Sequence, residues 1–135
     1  SPQMNFFDAK LVRESDGVYA VFGNNKILVP NSKVAKLLDE STIGKDVTLG
    51  IRPENLTDNK ENMHPKSTID VDVEVVEMLG SETLLYVKTS GKSDNVIARV
   101  DPRTTSRAGD KIKLGLNADH LHFFDKETEA TLLSR

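Results

Sequence analysis

Short runs of alternating apolar and polar residues, each cut off by glycine, proline or aspartate, fill this chain and leave little room for helices. Asp46 to Ile51 shows the pattern most plainly. Val47, Leu49 and Ile51 address a core, and Asp46, Thr48, Gly50 and Arg52 the other side. Pro53 lacks an N–H and biases Arg52 towards extended backbone, so the strand ends there. Gly50 leaves a bare patch where another backbone can approach, and Glu54 lies within reach of the Arg52 guanidinium.

The same stretch recurs later. Gly44, Leu49, Gly50 and Leu56 reappear at equal spacing as Gly109, Leu114, Gly115 and Leu121, with Glu54 matched by Asp119. This is the mark of an internal duplication, with halves of about 5–57 and 68–125 joined by a polar loop, 58–67. The second copy has Asn117 and Ala118 where the first has Arg52 and Pro53. The turn itself therefore does not demand Arg and Pro, and those two residues become functional candidates. The competing reading is a local Arg52–Glu54 ion pair, of the surface kind that contributes little.

Around this pair, strands are expected at Phe6 to Glu14, Val18 to Phe22, Lys26 to Val29, Thr68 to Leu79, Thr83 to Lys88, Asn95 to Val100 and Lys111 to Leu116. Asp119 to Asp125 and Glu129 to Leu133 are expected to pair around Lys126-Glu127-Thr128. Asn55 to Lys66 reads as a loop. One short helix is expected over Lys33 to Asp39, capped by Asn31 or Ser32, with Val34, Ala35, Leu37 and Leu38 facing the core. In the Thr68 strand, Ile69, Val71, Val73 and Val75 point inward, and then the phase slips, because Val76 and Met78 are apolar on the other face. That slip calls for a bulge. Thr83 to Lys88 is apolar on both faces and must be covered on both. The sum is an all-β, OB-like or MOP-like β-barrel, one domain over 1–135.

Composition narrows the function. The 135 residues carry a net charge of −3 and no cysteine. Disulfides and thiolate metal sites are excluded, and a basic nucleic-acid footprint is absent. Gly91-Lys92-Ser93 resembles the tail of a phosphate loop, but Tyr86 stands where that loop needs glycine. His120 and His122 would share a strand face, without an evident third metal ligand. Asp70, Asp72 and Glu74 read as a solvated strand face rather than an acid–base pair. No nucleophile–base arrangement is recognisable, so the chain reads as non-catalytic.

Four segments occur in order: Gly50 to Glu54, Val73 to Thr83, Ala98 to Arg103 and His122 to Asp125. Together they resemble the C-terminal regulatory domain, of the transport-associated OB (TOBE) type, in the ATPase subunits of carbohydrate ABC importers. These are importers of the maltose, glycerol-phosphate and multiple-sugar kind. The opening Ser1 to Phe6 is similar to the segment where that family's chain leaves its nucleotide-binding domain, which suggests an excised piece of something longer. The resemblance implies a domain that pairs with its copy in a homodimer or with a paired ATPase subunit, and in some members receives a phosphotransferase component or transcriptional regulator. ATP, magnesium and the transmembrane permease contacts would belong to an upstream domain, and the location would be the cytoplasmic face of the membrane. Contacts are expected at Gly50, Arg52, Pro53, Glu54, Gly80, Ser81, Glu82, Asp101 and Pro102. The alternative is a small oxyanion-binding protein using Ser81, Lys92 and Ser93 at the seam between copies. A single-strand nucleic-acid module comes third.

Overall fold

A computed structural model describes residues 3–135. Ten strands follow in order: β1 (Asn5–Glu14), β2 (Gly17–Phe22), β3 (Asn25–Val29), β4 (Asp46–Ile51), β5 (Leu56–Thr57), β6 (Thr68–Met78), β7 (Thr83–Thr89), β8 (Val96–Val100), β9 (Lys111–Leu116) and β10 (His122–Phe124). One α-helical turn, α1 (Asn31–Val34), and four 3₁₀ turns complete the chain. The fold is all-β and OB-like.

The strands form two five-stranded antiparallel sheets, ordered β10-β4-β1-β2-β3 and β5-β9-β6-β7-β8. The orders are the same once β4 is laid over β9, β1 over β6, β2 over β7 and β3 over β8. The short strands complete the correspondence by exchange: β5 leaves the first half to pair with β9, and β10 leaves the second half to pair with β4. Even the register repeats. His122 lies opposite Gly50, and Thr57 opposite Gly115. In the second sheet β5 also comes beside β8, which nearly closes a five-stranded barrel.

Both sheets share one core. Phe7, Leu49 and Phe123 from the first meet Ile69, Leu85 and Leu114 from the second. Each fully buried Leu or Phe contributes about 1.5–3 kcal/mol, and this shared burial is what holds the two sheets together. Two buried asparagines join them by hydrogen bonds. Asn5 Nδ2 donates to the carbonyls of Ile51 (3.2 Å) and Ile97 (2.9 Å), while its Oδ1 accepts from Ile97 N. Asn25 Nδ2 donates to Thr89 Oγ1 (2.9 Å), and its Oδ1 accepts from Asp70 N.

Four local expectations differ from what is found. First, the helix is shorter and earlier than Lys33 to Asp39. The Pro30 carbonyl accepts from Lys33 and Val34, with no side-chain cap, and the tail then captures the segment through a Leu37–Leu133 bridge and a Leu38 N–Leu132 O bond. Ala35 and Leu38 are consequently exposed. Second, the loop Asn55 to Lys66 contains β5 and a 3₁₀ turn, Lys60–Asn62. Third, Asp119 to Asp125 is not one strand. Ala118–His120 form a 3₁₀ turn, so His120 and His122 do not share a strand face. Fourth, the β6 bulge lies at Glu74, between Val73 and Val75, and turns Val75 outward. β7 is covered on both faces, with Leu84 buried as well as Leu85 and Val87.

Candidate functional site

Among the described residues, three of the five exposed large hydrophobic side chains lie on the β6–β7 hairpin. The bulge at Glu74 shifts the alternation by one residue, which turns Val75 outward and Val76 towards the core, while Met78 and Leu79 are exposed at the end of the arm. Val75 is 52% exposed, Met78 79% and Leu79 49%. Glycine allows the arm to turn tightly. Gly80 has φ of 85°, in the left-handed region that a two-residue hairpin loop needs, and Leu79 N donates to Glu82 O at 2.9 Å. The signal for this patch was in the sequence as apolar residues on both faces of one strand end; the position of the bulge was not.

The neighbouring turn belongs to the same end of the sheet. Thr83 lies opposite Val100, which places Asp101 beside Glu82. Glu82 Oε2 lies 3.0 Å from Arg99 Nε. Asp101 accepts from Arg103 N (2.8 Å), Nε (3.0 Å) and Nη2 (2.9 Å), and the guanidinium holds its carboxyl down at about 2. Gly80, Ser81, Glu82, Asp101 and Pro102 are thus brought together.

The Gly50 to Glu54 group stands apart from that end, at the crossover from β4 to β5. Gly50 is approached by side chains rather than by another backbone. A Cβ there would lie 2.5 Å from Met4 Sδ and 3.1 Å from the Phe124 ring. Gly115, its counterpart, is covered in the same way by Met63. Arg52 and Glu54 are both exposed, and no ion pair joins them. Arg52 is the extended residue before the Pro53–Asn55 3₁₀ turn, and Glu54 lies within that turn. The Arg52 charge bears on His122, whose pKa is lowered first by burial and then by Lys33, Arg52 and His120. Pro53 is buried, and its turn packs beside β8. Glu54 lines a cleft between the two crossovers.

Ser81 and Lys92 do not meet. They flank opposite ends of β7, about 20 Å apart at the usual rise per residue. The Lys92 ammonium is also engaged. It donates to Phe6 O at 2.7 Å, lies 3.0 Å from Asp94 Oδ1, and sits over the Phe7 ring. Asp70 and Asp72 are solvated and paired with Lys113 and Lys111. No helix among the described residues is long and apolar enough to cross a membrane.

Comparison with known proteins identifies this architecture. The MalK OB fold domain matches residues 1–56, and the TOBE domain matches residues 49–124. The chain belongs to the TOBE domain family. This TOBE domain is similar to parts of sugar-importer ATP-binding proteins. It is 36% identical over 134 residues to the oligosaccharides import ATP-binding protein MsmX of Bacillus subtilis, covering 98% of this chain and 35% of that protein. It is 37% identical to the multiple sugar-binding transport ATP-binding protein MsmK of Streptococcus mutans, covering 98% of this chain and 34% of the relative. The sn-glycerol-3-phosphate import ATP-binding protein UgpC of Chromohalobacter salexigens is 33% identical over 125 residues, covering 93% of this chain and 31% of the relative. The TOBE domain therefore spans about a third of the length of these relatives.

Proposed function

We propose that this TOBE domain is a non-catalytic regulatory and self-associating module of a carbohydrate importer's ATP-binding subunit. The reading is supported by kinship with MsmX and MsmK and by one observation above the rest, the apolar tip formed by Val75, Met78 and Leu79. Val75 and Met78, on opposite faces of the arm, and Leu79 at its tip are large apolar side chains left exposed on one hairpin, and exposed apolar surface of this kind suits a contact that covers it. The occupant is a second copy of the same arm. A two-fold contact sets each patch against itself. The flanking charges are of both signs, Glu77 and Glu82 against Arg99 and Arg103, which suits self-complementarity. The Asp101-Pro102 turn would adjoin the contact beside Glu82. The parent subunit would hydrolyse ATP in a separate domain, on the cytoplasmic side of the membrane beside permease subunits, and a regulator could dock on the same module.

Sedimentation equilibrium over a wide concentration range tests this. A reversible monomer–dimer equilibrium is expected, weakened by Met78→Asp without loss of melting temperature. A chain that stays monomeric in the parent subunit as well as alone, or a dimer indifferent to Met78→Asp, would sink the reading.

A further inference from the structure

We propose that the outer edge of β6, from Val75 to Leu79, pairs antiparallel with the same edge of a second copy, so that two sheets run on as one. The pairing rests on the self-association reading and deepens it, because it names the atoms that make the contact.

The turn of the arm sets the backbone directions. Leu79 N donates to Glu82 O at 2.9 Å, so the main chain of Leu79 faces β7. Along an antiparallel strand these directions alternate. The main chains of Glu77 and Val75 therefore also face β7, while Val76 and Met78 turn their N–H and C=O groups away from it. Nearer the core this outer side is taken. Thr68 to Asp72 pair with β9, Val73 N donates to Asp110 O, and Gly109 N donates to Val73 O, both at 2.8 Å. Beyond Val73, among the described residues, no backbone partner reaches the outer side of β6.

Other sheet edges are covered within the domain. Leu28 N of β3 donates to Lys66 O, and Phe123 O of β10 accepts from Leu132 N. On β8, the Asn5 side chain bonds both the N–H and the carbonyl of Ile97. β1 repeats the arrangement of β6 only in part. Leu11 N donates to Lys45 O and Gly44 N to Leu11 O, as at Val73, but the outward residue beyond Leu11 is Arg13, and the strand ends at Glu14. A charged residue protects an edge against pairing. The two outward residues of the β6 edge, Val76 and Met78, are both apolar, and a free edge of this kind takes up another strand.

The register selects the occupant. A two-fold pairing that uses both outward residues sets Val76 against Met78 of the second copy, and Met78 against its Val76. The same register sets Val75 against Leu79 of the second copy. Each of the three exposed apolar side chains thus gains an apolar neighbour. Only Glu77 meets its own copy, and Tyr86 Oη, which donates to Glu77 Oε1 at 3.1 Å, draws that carboxylate back towards β7.

Amide hydrogen exchange of the chain, read by NMR at low and high concentration beside sedimentation, tests the pairing. The Val76 and Met78 amides should exchange freely in dilute solution and slow by about tenfold or more as the dimer forms. The Glu77 amide, bonded to β7, should stay protected throughout. Met78→Pro removes an outward N–H and leaves the β7 ladder intact, so it should weaken association about tenfold or more beyond Met78→Ala. Glu77→Gln removes the like charges and should tighten association by about two- to fivefold. A dimer whose Val76 and Met78 amides exchange as freely as in the monomer, Met78→Pro no weaker than Met78→Ala, or looser association in Glu77→Gln would each overturn the pairing and leave self-association standing. A chain that stays monomeric at every concentration, alone and in the parent subunit, would overturn both.

Discussion

The β1–β2 and β6–β7 hairpins occupy the same position in equivalent sheets, yet they treat their tips in opposite ways. At the β1–β2 tip, Asp16 accepts from Tyr19 Oη and Lys66 Nζ, both at 2.7 Å, and Lys26 pairs with Glu14. Every charged group there finds its partner inside the domain. On the β6–β7 arm a bulge has turned Val75 outward, and at the tip Met78 is 79% and Leu79 49% exposed. One arm of a repeated framework has been used to close the domain on itself, and the other is left open. The exposed arm is therefore not a requirement of the fold, because its counterpart folds without one. That contrast is the strongest argument that the open arm serves a contact.

The contrast breaks most sharply if both tips are changed and two observables are read. Met78→Asp with Leu79→Asp should weaken self-association by about thirtyfold or more, as expected for central apolar contacts, and leave the melting temperature in place. Asp16→Asn should do the reverse, lowering the melting temperature and leaving association alone. Sedimentation and thermal unfolding of both variants check this. If the apolar pair changes stability alone, or Asp16→Asn changes association, the two arms do not divide their roles.

Backbone strain gives a smaller effect. Gly80 has open space where a Cβ would go, so Gly80→Ala measures the left-handed backbone alone, about 1–2 kcal/mol, or several degrees of melting temperature. Gly17, at φ of 146°, has Leu28 Cδ1 3.2 Å from the same position, so crowding adds to strain there. Gly17→Ala should lower the melting temperature at least as much. A larger drop at Gly80 would mean that the open arm is held by contacts that its exposure does not suggest.

The alternation of Val47, Leu49 and Ile51 fixed β4 residue for residue, because a half-buried strand writes its period directly into sequence. Gly44 to Leu56 and Gly109 to Leu121 match by residue type in the sequence, and β4 and β9, which these stretches contain, hold equivalent places in the two strand orders. The exchange of β5 and β10 was not legible. Strands of two and three residues carry no period, and their partners lie far along the chain. Within the candidate site, clustering of Gly80 to Glu82 with Asp101 follows from strand pairing, which turn signals alone do not reveal. The bulge could be inferred from the phase slip at Val76 but not placed at Glu74. No Arg52–Glu54 ion pair forms, because proximity in sequence does not fix where two exposed side chains point.

Acid sensitivity gives the smallest and most specific test of the comparison. The Asp16 carboxyl is lowered from 3.8 to about 2 by Lys66 and Tyr19, and Asp101 is lowered to about 2 by Arg103. In each case the folded pKa lies below the unfolded one. The stabilisation is thus complete above pH 3.8 and is lost as pH falls from there towards 2. Both groups are exposed, so solvent and salt keep the effects modest. They should still differ. Lys66 reaches Asp16 only in the folded chain, whereas Arg103 is two residues from Asp101 and keeps part of its contact when the chain unfolds. Asp16→Asn should therefore flatten the fall of melting temperature between pH 5 and pH 2 more than Asp101→Asn, at low ionic strength. Equal flattening by the two would mean that the Asp16–Lys66 pair does not depend on the fold, and the closed arm would lose its distinction from the open one.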